Sequence, residues 1–371
     1  MFPILLQQLL SSAVRASHRR RPAPSRPLRA GRARKPINLA LQGGGAHGAF
    51  TWGVLDQVLA DGRLAIEGIS GTSAGAINAA LVADGLMRGG AEQARQRLAD
   101  FWRAVSVNGH LPDLQRGVVE RLFSFAPQGA WLGALSHFWS PYDLNPLNIN
   151  PLKDLIERFV DFEALRRDRA RELFISATDV RTGELRVFSR DEITPEVVMA
   201  SACLPLLFRA VEIEGVPYWD GGYSGNPAIS PFLRTTATED VLLVQVYPRR
   251  RGKAPIATRE IMSRVSELTF NASLLSELRA VEFVGKLIDQ GQLPRGTGDG
   301  EFRRLRLHRV AMDKQGGAFD ARSKLNTDFE FFETLHKLGQ RATRRFLDAH
   351  FDDIGRRGTI DVKPEVEAEV A

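Results

Sequence analysis

The sequence predicts an α/β protein built on a mostly parallel central sheet. Three observations carry this reading. Short apolar runs of strand length alternate with longer stretches whose apolar residues recur at helical spacing. The first two strand-to-helix junctions are glycine-rich, reading Gly43-Gly44-Gly45-Ala46-His47-Gly48 and Gly71-Thr72-Ser73-Ala74-Gly75. Residues 241–246 form an apolar run of the kind a buried parallel strand requires. Strands alternating with helices in this way imply right-handed crossovers.

The elements follow in order. Residues 37–41 read as a strand that runs into the first glycine loop. Val54, Leu55, Val58 and Leu59 then mark a helix that Asp61-Gly62 stops. A second strand near 66–69 leads into the next glycine turn and a small-residue helix through Met87. Leu152, Leu155, Ile156, Phe159 and Val160 mark another helix, and 173–180 a strand. Thr194-Pro195 supplies an N-cap and a first-turn proline for a helix through Ala202. Residues 211–213 and 216–219 form a hairpin around Glu214-Gly215. After the 241–246 strand come a long helix over 257–289, a strand over 305–310 and an amphipathic helix over 328–350.

The chain has 371 residues, with 50 Lys and Arg against 44 Asp and Glu, a net charge of +6. Residues 1–36 hold nine of those bases and no acid, so 37–371 carry 41 against 44, or −3. The basic leader, rich in Pro and Arg, cannot form a packed core and reads as disordered. Its arginines follow the apolar MFPILLQQLL segment, whereas a secretory signal places its charges before it. The leader over 1–35 is therefore a candidate for peripheral contact with an anionic membrane, and the body supplies no basic stripe for nucleic acid. A cytoplasmic location, with peripheral membrane contact through the leader, is the expectation. Cys203 is the one cysteine, which excludes an intrachain disulfide. Seven scattered histidines form no zinc-type cluster, and neither metal nor cofactor is expected. Residues 69–87 come closest to a membrane span, but Asp84 interrupts them. With no repeat and no composition break inside 37–355, one domain is expected there, flanked by the leader and a 356–371 tail. Within it, 107–150 forms an insertion holding Leu122, Phe123, Phe125, Trp131, Leu132, Leu135, Phe138 and Trp139, which suits an acyl-chain cap or ordinary packing equally.

Gly43-x-Gly45-x-x-Gly48 fits a dinucleotide fingerprint, and Glu67 lies where its acid could sit. The second strand, however, runs into Gly71-x-Ser73-x-Gly75, the pattern of a nucleophile elbow. The glycines permit a sharp strand-to-helix turn that exposes Ser73, and the helix that follows aims its N-terminal dipole at developing negative charge. The neighbouring Gly43, Gly44 and Gly45 would then turn backbone N–H groups toward an oxyanion, each worth about 3–4 kcal/mol. Ser73 needs a base. Asp220, at the end of the 216–219 strand and opening Asp220-Gly221-Gly222, could accept its proton directly if buried against it. The alternative is a Ser73–Asp220–His308 triad, although His308 shares a face with Arg304 and Arg306, which points it to solvent.

In this order, Gln42-Gly-Gly-Gly-Ala-His-Gly48, Gly71-Thr-Ser-Ala-Gly75 and Asp220-Gly-Gly222 resemble the patatin-like phospholipases. Residues 177–184, 200–205 and 218–227 are similar to family segments as well. The resemblance implies a patatin fold, a three-layer α/β/α sandwich, and a serine acyl hydrolase of lipid esters. It further implies Ser73 as nucleophile, Asp220 as base, Gly43–Gly45 as oxyanion loop and no catalytic histidine. Gly48, Gly71, Gly75, Gly221 and Gly222 would support the motifs. One departure is His47, where many relatives carry Arg or Lys; it would brace the loop or meet substrate. A weakly catalytic lipid-surface binder is the alternative within the same fold.

Overall fold

The computed structural model describes residues 34–106, 141–144, 148, 150–205, 207–248, 254–312, 323 and 326–360. Most of the leader, nearly all of the aromatic insertion and the end of the C-terminal tail lie outside the described residues.

The chain order is β1 (Lys35–Leu41), α1 (Gly48–Asp61), β2 (Leu64–Gly71) and α2 (Ala74–Ala104), the last broken at Gly90. Then come α3 (Pro141–Leu144), α4 (Pro151–Phe159), α5 (Phe162–Arg167), β3 (Glu172–Asp179), β4 (Leu185–Ser189) and α6 (Pro195–Ser201). β5 (Val211–Ile213), β6 (Val216–Asp220), β7 (Asp240–Gln245), α7 (Thr258–Asp289), β8 (Arg306–Ala311) and α8 (Phe329–His350) complete it.

One mixed, mostly parallel sheet runs β5-β6-β3-β2-β1-β7-β8, with β4 also paired to β3. The strands from β3 to β8 along this path are mutually parallel; β4 and β6 run antiparallel to β3, and β5 antiparallel to β6. Side chains alternate between two cores, as a pleated strand demands. From β1, Ile37, Leu39 and Leu41 face α1, α2 and α8, while Ala40 faces α7 and the 3-10 turn Ser230–Leu233. β7 divides likewise, Leu242 and Val244 to one side, Val241 and Leu243 to the other. Helices thus cover both faces, giving the expected α/β/α sandwich.

Local chemistry accounts for the element ends. Gly62 takes a left-handed φ of 71° to stop α1. Thr194 caps α6 through its side chain, which accepts from the Val197 N–H, and Pro195 occupies the first turn. Glu214 and Gly215 both take positive φ, 51° and 76°, which matches a two-residue hairpin turn to the strand twist. Between Ile37 and Asn38 the β1–β2 register shifts by one, bulging the β2 backbone at Glu67. The Glu67 carboxylate there accepts the N–H groups of Ala237 and Thr238, so its role is to hold a loop. β1 starts at Lys35, whose Nζ donates to the carbonyls of Phe351 and Ile354. The first strand therefore begins just inside the expected leader, and the first residues of the expected tail return to β8 through Thr359 and Ile360.

Candidate active site

Parallel strands deliver their loops to one end of the sheet, and the motif residues meet there. Beyond Leu41 the first glycine loop begins; beyond Gly71 comes Ser73. In the β2–β3 register Gly71, two residues before Ser73, pairs with Ile175, and two residues further along β3 Ala177 pairs with Asp220 of β6. Serine and aspartate thus meet at one end of the sheet, the Ser73 hydroxyl beside the Asp220 carboxyl.

Ser73 has φ 56° and ψ −125°, a conformation that an L residue reaches only at a cost of about 1–3 kcal/mol. Several bonds hold it there. The Ser73 N–H donates to Ser201 Oγ at 2.9 Å, Gly75 N–H to the Thr72 carbonyl at 2.8 Å, and Thr72 Oγ1 to the Gly225 carbonyl at 2.8 Å. The close packing needs glycine. A Cβ on Gly43 would lie 2.6 Å from Ser73 Cβ, and one on Gly75 2.2 Å from the Leu41 carbonyl oxygen. One on Gly221 would fall 2.2 Å from the Ser176 carbonyl oxygen, which lets the Asp220 turn press onto β3. Gly48 and Gly71 are similarly tight, against Ala74 Cβ and the Gly75 carbonyl, and Gly222 lies against the Phe270 ring.

Asp220 is 1% exposed. Its N–H donates to the Cys203 carbonyl, its carbonyl accepts from Thr178 Oγ1, and its Oδ1 accepts from the Gly222 N–H at 2.7 Å. Oδ2 is buried and has no partner in good hydrogen-bond geometry. Burial pushes the carboxyl up to about 7, against the opposing pull of the Ser73 hydroxyl and the Gly222 N–H. The serine is thus the side-chain neighbour that stabilises the charged form, while falling short of a well-formed bond. Around the carboxyl, burial and then the Asp220 charge push the Cys203 thiol up to about 12 and raise the phenols of Tyr223 and Tyr247. Cys203 donates to the Arg209 carbonyl, so it packs rather than reacts.

Two expectations are corrected. Gly43 does not face a developing oxyanion: its N–H donates to Asn226 Oδ1 at 2.7 Å, and its place is against Ser73. The N–H groups of Gly44 and Gly45 have no acceptor among the described residues. His308 is neither exposed nor near the serine. It is fully buried, Nε2 on Asp240 Oδ1 at 2.9 Å and Nδ1 on Thr359 Oγ1 at 3.2 Å. Ile69, Leu39, Leu242 and His308 stand in register across four strands, which puts His308 about 14 Å from the β2 line. The triad is excluded. Arg306 is turned to Asp240 and Glu239 instead of solvent, which is why the shared face misled.

His47 is 3% exposed, bonded through Nε2 to Ser323 Oγ at 2.7 Å and flanked by the rings of Tyr247 and Phe331. Buried contacts on every named side suit bracing of the glycine loop. Gln42 performs a similar task, its Oε1 accepting the N–H groups of Val246 and Tyr247 and so tying the end of β1 to that of β7. Thr178, Ser201 and Asn226 lie inside the family-like segments 177–184, 200–205 and 218–227, but the sequence assigns them no role, since their partners lie far along the chain. Among the described residues, no group of three or more His, Cys, Asp or Glu is placed to hold a metal ion. Nor, among them, is any helix long and apolar enough to cross a membrane.

A sandwich with a strained serine on a strand-to-helix turn, beside a dry carboxyl, defines an elbow-type α/β protein. The patatin-like phospholipase profile matches residues 39–233, more than half of the chain, and the chain belongs to that family of lipid hydrolases. Among solved structures it is similar to VipD from Legionella pneumophila, at 14% identity and a TM-score of 0.35, over 85% of this chain and 67% of that one. It is also similar to ExoU of Pseudomonas aeruginosa, in the heterodimeric ExoU–SpcU complex, at 18% identity and a TM-score of 0.38. That likeness covers 87% of this chain but 53% of the ExoU chain, so the protein spans about half of ExoU's length. No curated protein matches in sequence.

Proposed function

We propose that this chain is a serine acyl hydrolase of lipid esters, working through a Ser73–Asp220 dyad within one catalytic domain over 37–355. The observation that carries it is the Asp220 carboxyl: buried, with one oxygen unpartnered, beside the Ser73 hydroxyl, and shifted up to about 7. A carboxylate at its ordinary value would be a poor base for an alcohol; one shifted this far is matched to neutral pH.

Oδ2 of Asp220 takes the hydroxyl proton as Ser73 Oγ bonds to the ester carbonyl carbon, and the carbonyl electron pair moves to oxygen. The N–H groups of Gly44 and Gly45 offer donors for that oxyanion, while Asn226 holds Gly43 in place against the serine. Collapse breaks the bond to the alcohol, which leaves with the proton from Asp220. Water then gives a proton to Asp220 and attacks the acyl-enzyme, and the proton returns to Ser73 as the acid departs. No step calls on a histidine. The preset turn supplies positioning, since its strain is stored in the folded chain before substrate arrives.

Labelling by a fluorophosphonate probe and turnover of a chromogenic acyl ester test this. Wild type should be labelled at Ser73 and turn over, and Ser73→Ala should lose both while keeping its melting temperature within a few degrees. Asp220→Asn should lose at least about 10³-fold in kcat. An Asp220→Asn protein with full activity would sink the dyad.

A further inference from the structure

The last turn of helix α6 touches both members of the dyad. Ser201 ends α6, and its Oγ accepts the Ser73 N–H at 2.9 Å. Two residues on, the Cys203 carbonyl accepts the Asp220 N–H at 2.8 Å. Nucleophile and base, far apart in sequence, are thus hung by their backbone N–H groups from one three-residue stretch.

That stretch is stiff. The Ala202 N–H donates to the Val198 and Met199 carbonyls and the Cys203 N–H to that of Ala200, so the helical turn runs on past Ser201. Val197, Val198, Met199, Ala200 and Ser201 are all buried, and α6 packs on β3, β5, β6 and α4. The Thr194 cap and Pro195 fix its other end.

Ser201 is fully buried, and among the described residues its hydroxyl is hydrogen-bonded to the Ser73 N–H alone. A buried hydroxyl is costly to desolvate, and an apolar residue would suit the core better. Its bond instead satisfies the backbone donor of a residue held at φ 56°, a conformation that persists only while its surroundings impose it. Dyad geometry is demanding. The base works within hydrogen-bond reach of the proton it takes, and a misplacement of about 1 Å costs on the order of a hundredfold.

We propose that Ser201 is a positioning residue of the reaction, and that the Ser201–Cys203 turn is a yoke setting the distance between the Ser73 hydroxyl and the Asp220 carboxyl. The yoke rests on the hydrolase reading, and Ser201 acts through Ser73 and not on the substrate. Releasing the Ser73 N–H has two effects that a general loss of stability would not bring together. The serine drifts from the carboxyl, so kcat falls while substrate binding is kept. The carboxyl also loses the side-chain neighbour that favours its charged form, so it holds its proton to higher pH. The titratable groups that feel the Asp220 charge, Cys203, Tyr223 and Tyr247, are all raised and stay uncharged around neutral pH.

The test follows full-chain Ser201→Ala and Ser201→Cys on a soluble chromogenic ester from about pH 5 to 9. Cysteine is close to serine in size, and its sulfur accepts only weakly. Both variants should lose about 10–100-fold in kcat with KM within about twofold of wild type. The midpoint of the acid limb should move up by about half a pH unit or more, and fluorophosphonate labelling of Ser73 should slow in step with kcat. Full kcat in a folded Ser201→Ala, or a lower kcat with the acid limb unmoved, would overturn the proposal. So would unfolding of both variants, seen in their melting temperatures, since Ser201 would then serve the fold and not the dyad. A wild type that neither labels nor hydrolyses any ester sinks the hydrolase reading and the yoke with it. An active wild type beside an indifferent Ser201→Ala sinks the yoke alone.

Discussion

Asp220 is costly to the fold and useful to the site for the same reason. Its carboxyl is raised from the usual 3.8 to about 7 by burial, so the folded chain holds the proton more tightly than the unfolded one. Stability from this group is therefore complete below pH 4, falls as pH rises between 4 and 7, and is lost above that. Asp220→Asn should raise the free energy of unfolding at pH 8 by on the order of a few kcal/mol, and change it little at pH 4. Calorimetry across that range checks it. The wild-type kcat/KM for a soluble ester should climb with the opposite sense, along an apparent pKa near 7, because only the ionised carboxyl can take the serine proton. His308 behaves otherwise. Burial would raise its partner Asp240, yet His308 and Arg306 together pull that carboxyl down to about 2. His308→Ala should cost about 2–4 kcal/mol in chemical denaturation and leave Ser73 labelling intact. Asn226→Ala should lower kcat by roughly 10–100-fold with KM little changed, since it releases the loop and not the substrate; an equal rise in KM would count against it.

At the scale of elements, the two glycine turns separate close packing from backbone freedom. Gly75→Ala would set a Cβ 2.2 Å from backbone oxygen and should abolish the folded elbow, visible as loss of soluble, labelled protein. Gly183→Ala, at φ 73° with nothing near its Cβ, should cost only about 1 kcal/mol. The main strands and helices were legible because their periods were long or their punctuation strong: the Glu214-Gly215 hairpin, the Thr194-Pro195 cap, the Gly62 stop. β4 and α5 were not. α5 has six residues, under two turns, too few to show a period. β4 is a five-residue antiparallel partner of β3 in which Arg186 stacks on Phe188, so its alternation is blurred. The face carrying Arg304, Arg306 and His308 failed for a related reason. Spacing tells which side chains share a side, but not that Asp240, Glu239 and Asp289 wait opposite them.

For the whole molecule, Ser73, Asp220 and the loop glycines were readable because each sits in a motif that sharp turns impose. The roles of Ser201 and Asn226 were not, although both lie in family-like segments, for they act across separations of 128 and 183 residues, which only the closed sheet brings together. Sheet polarity also separates the start of the first strand from the catalytic loops. β1 begins at Lys35, at one end of the sheet, while β7 leaves at Gln245, at the end holding the catalytic loops. Removing residues 1–33, with Lys35 kept for its bonds to Phe351 and Ile354, should leave turnover of a soluble ester unchanged. The same separation gives the protein a handle. β1 is about 20 Å long and enters the sandwich from the side opposite Ser73, so a bead or electrode coupled at residue 34 of a chain lacking 1–33 would hold the enzyme with its working edge outward. Coupled at the exposed Tyr223, beside the Asp220 turn, the identical protein would be attached by its mouth.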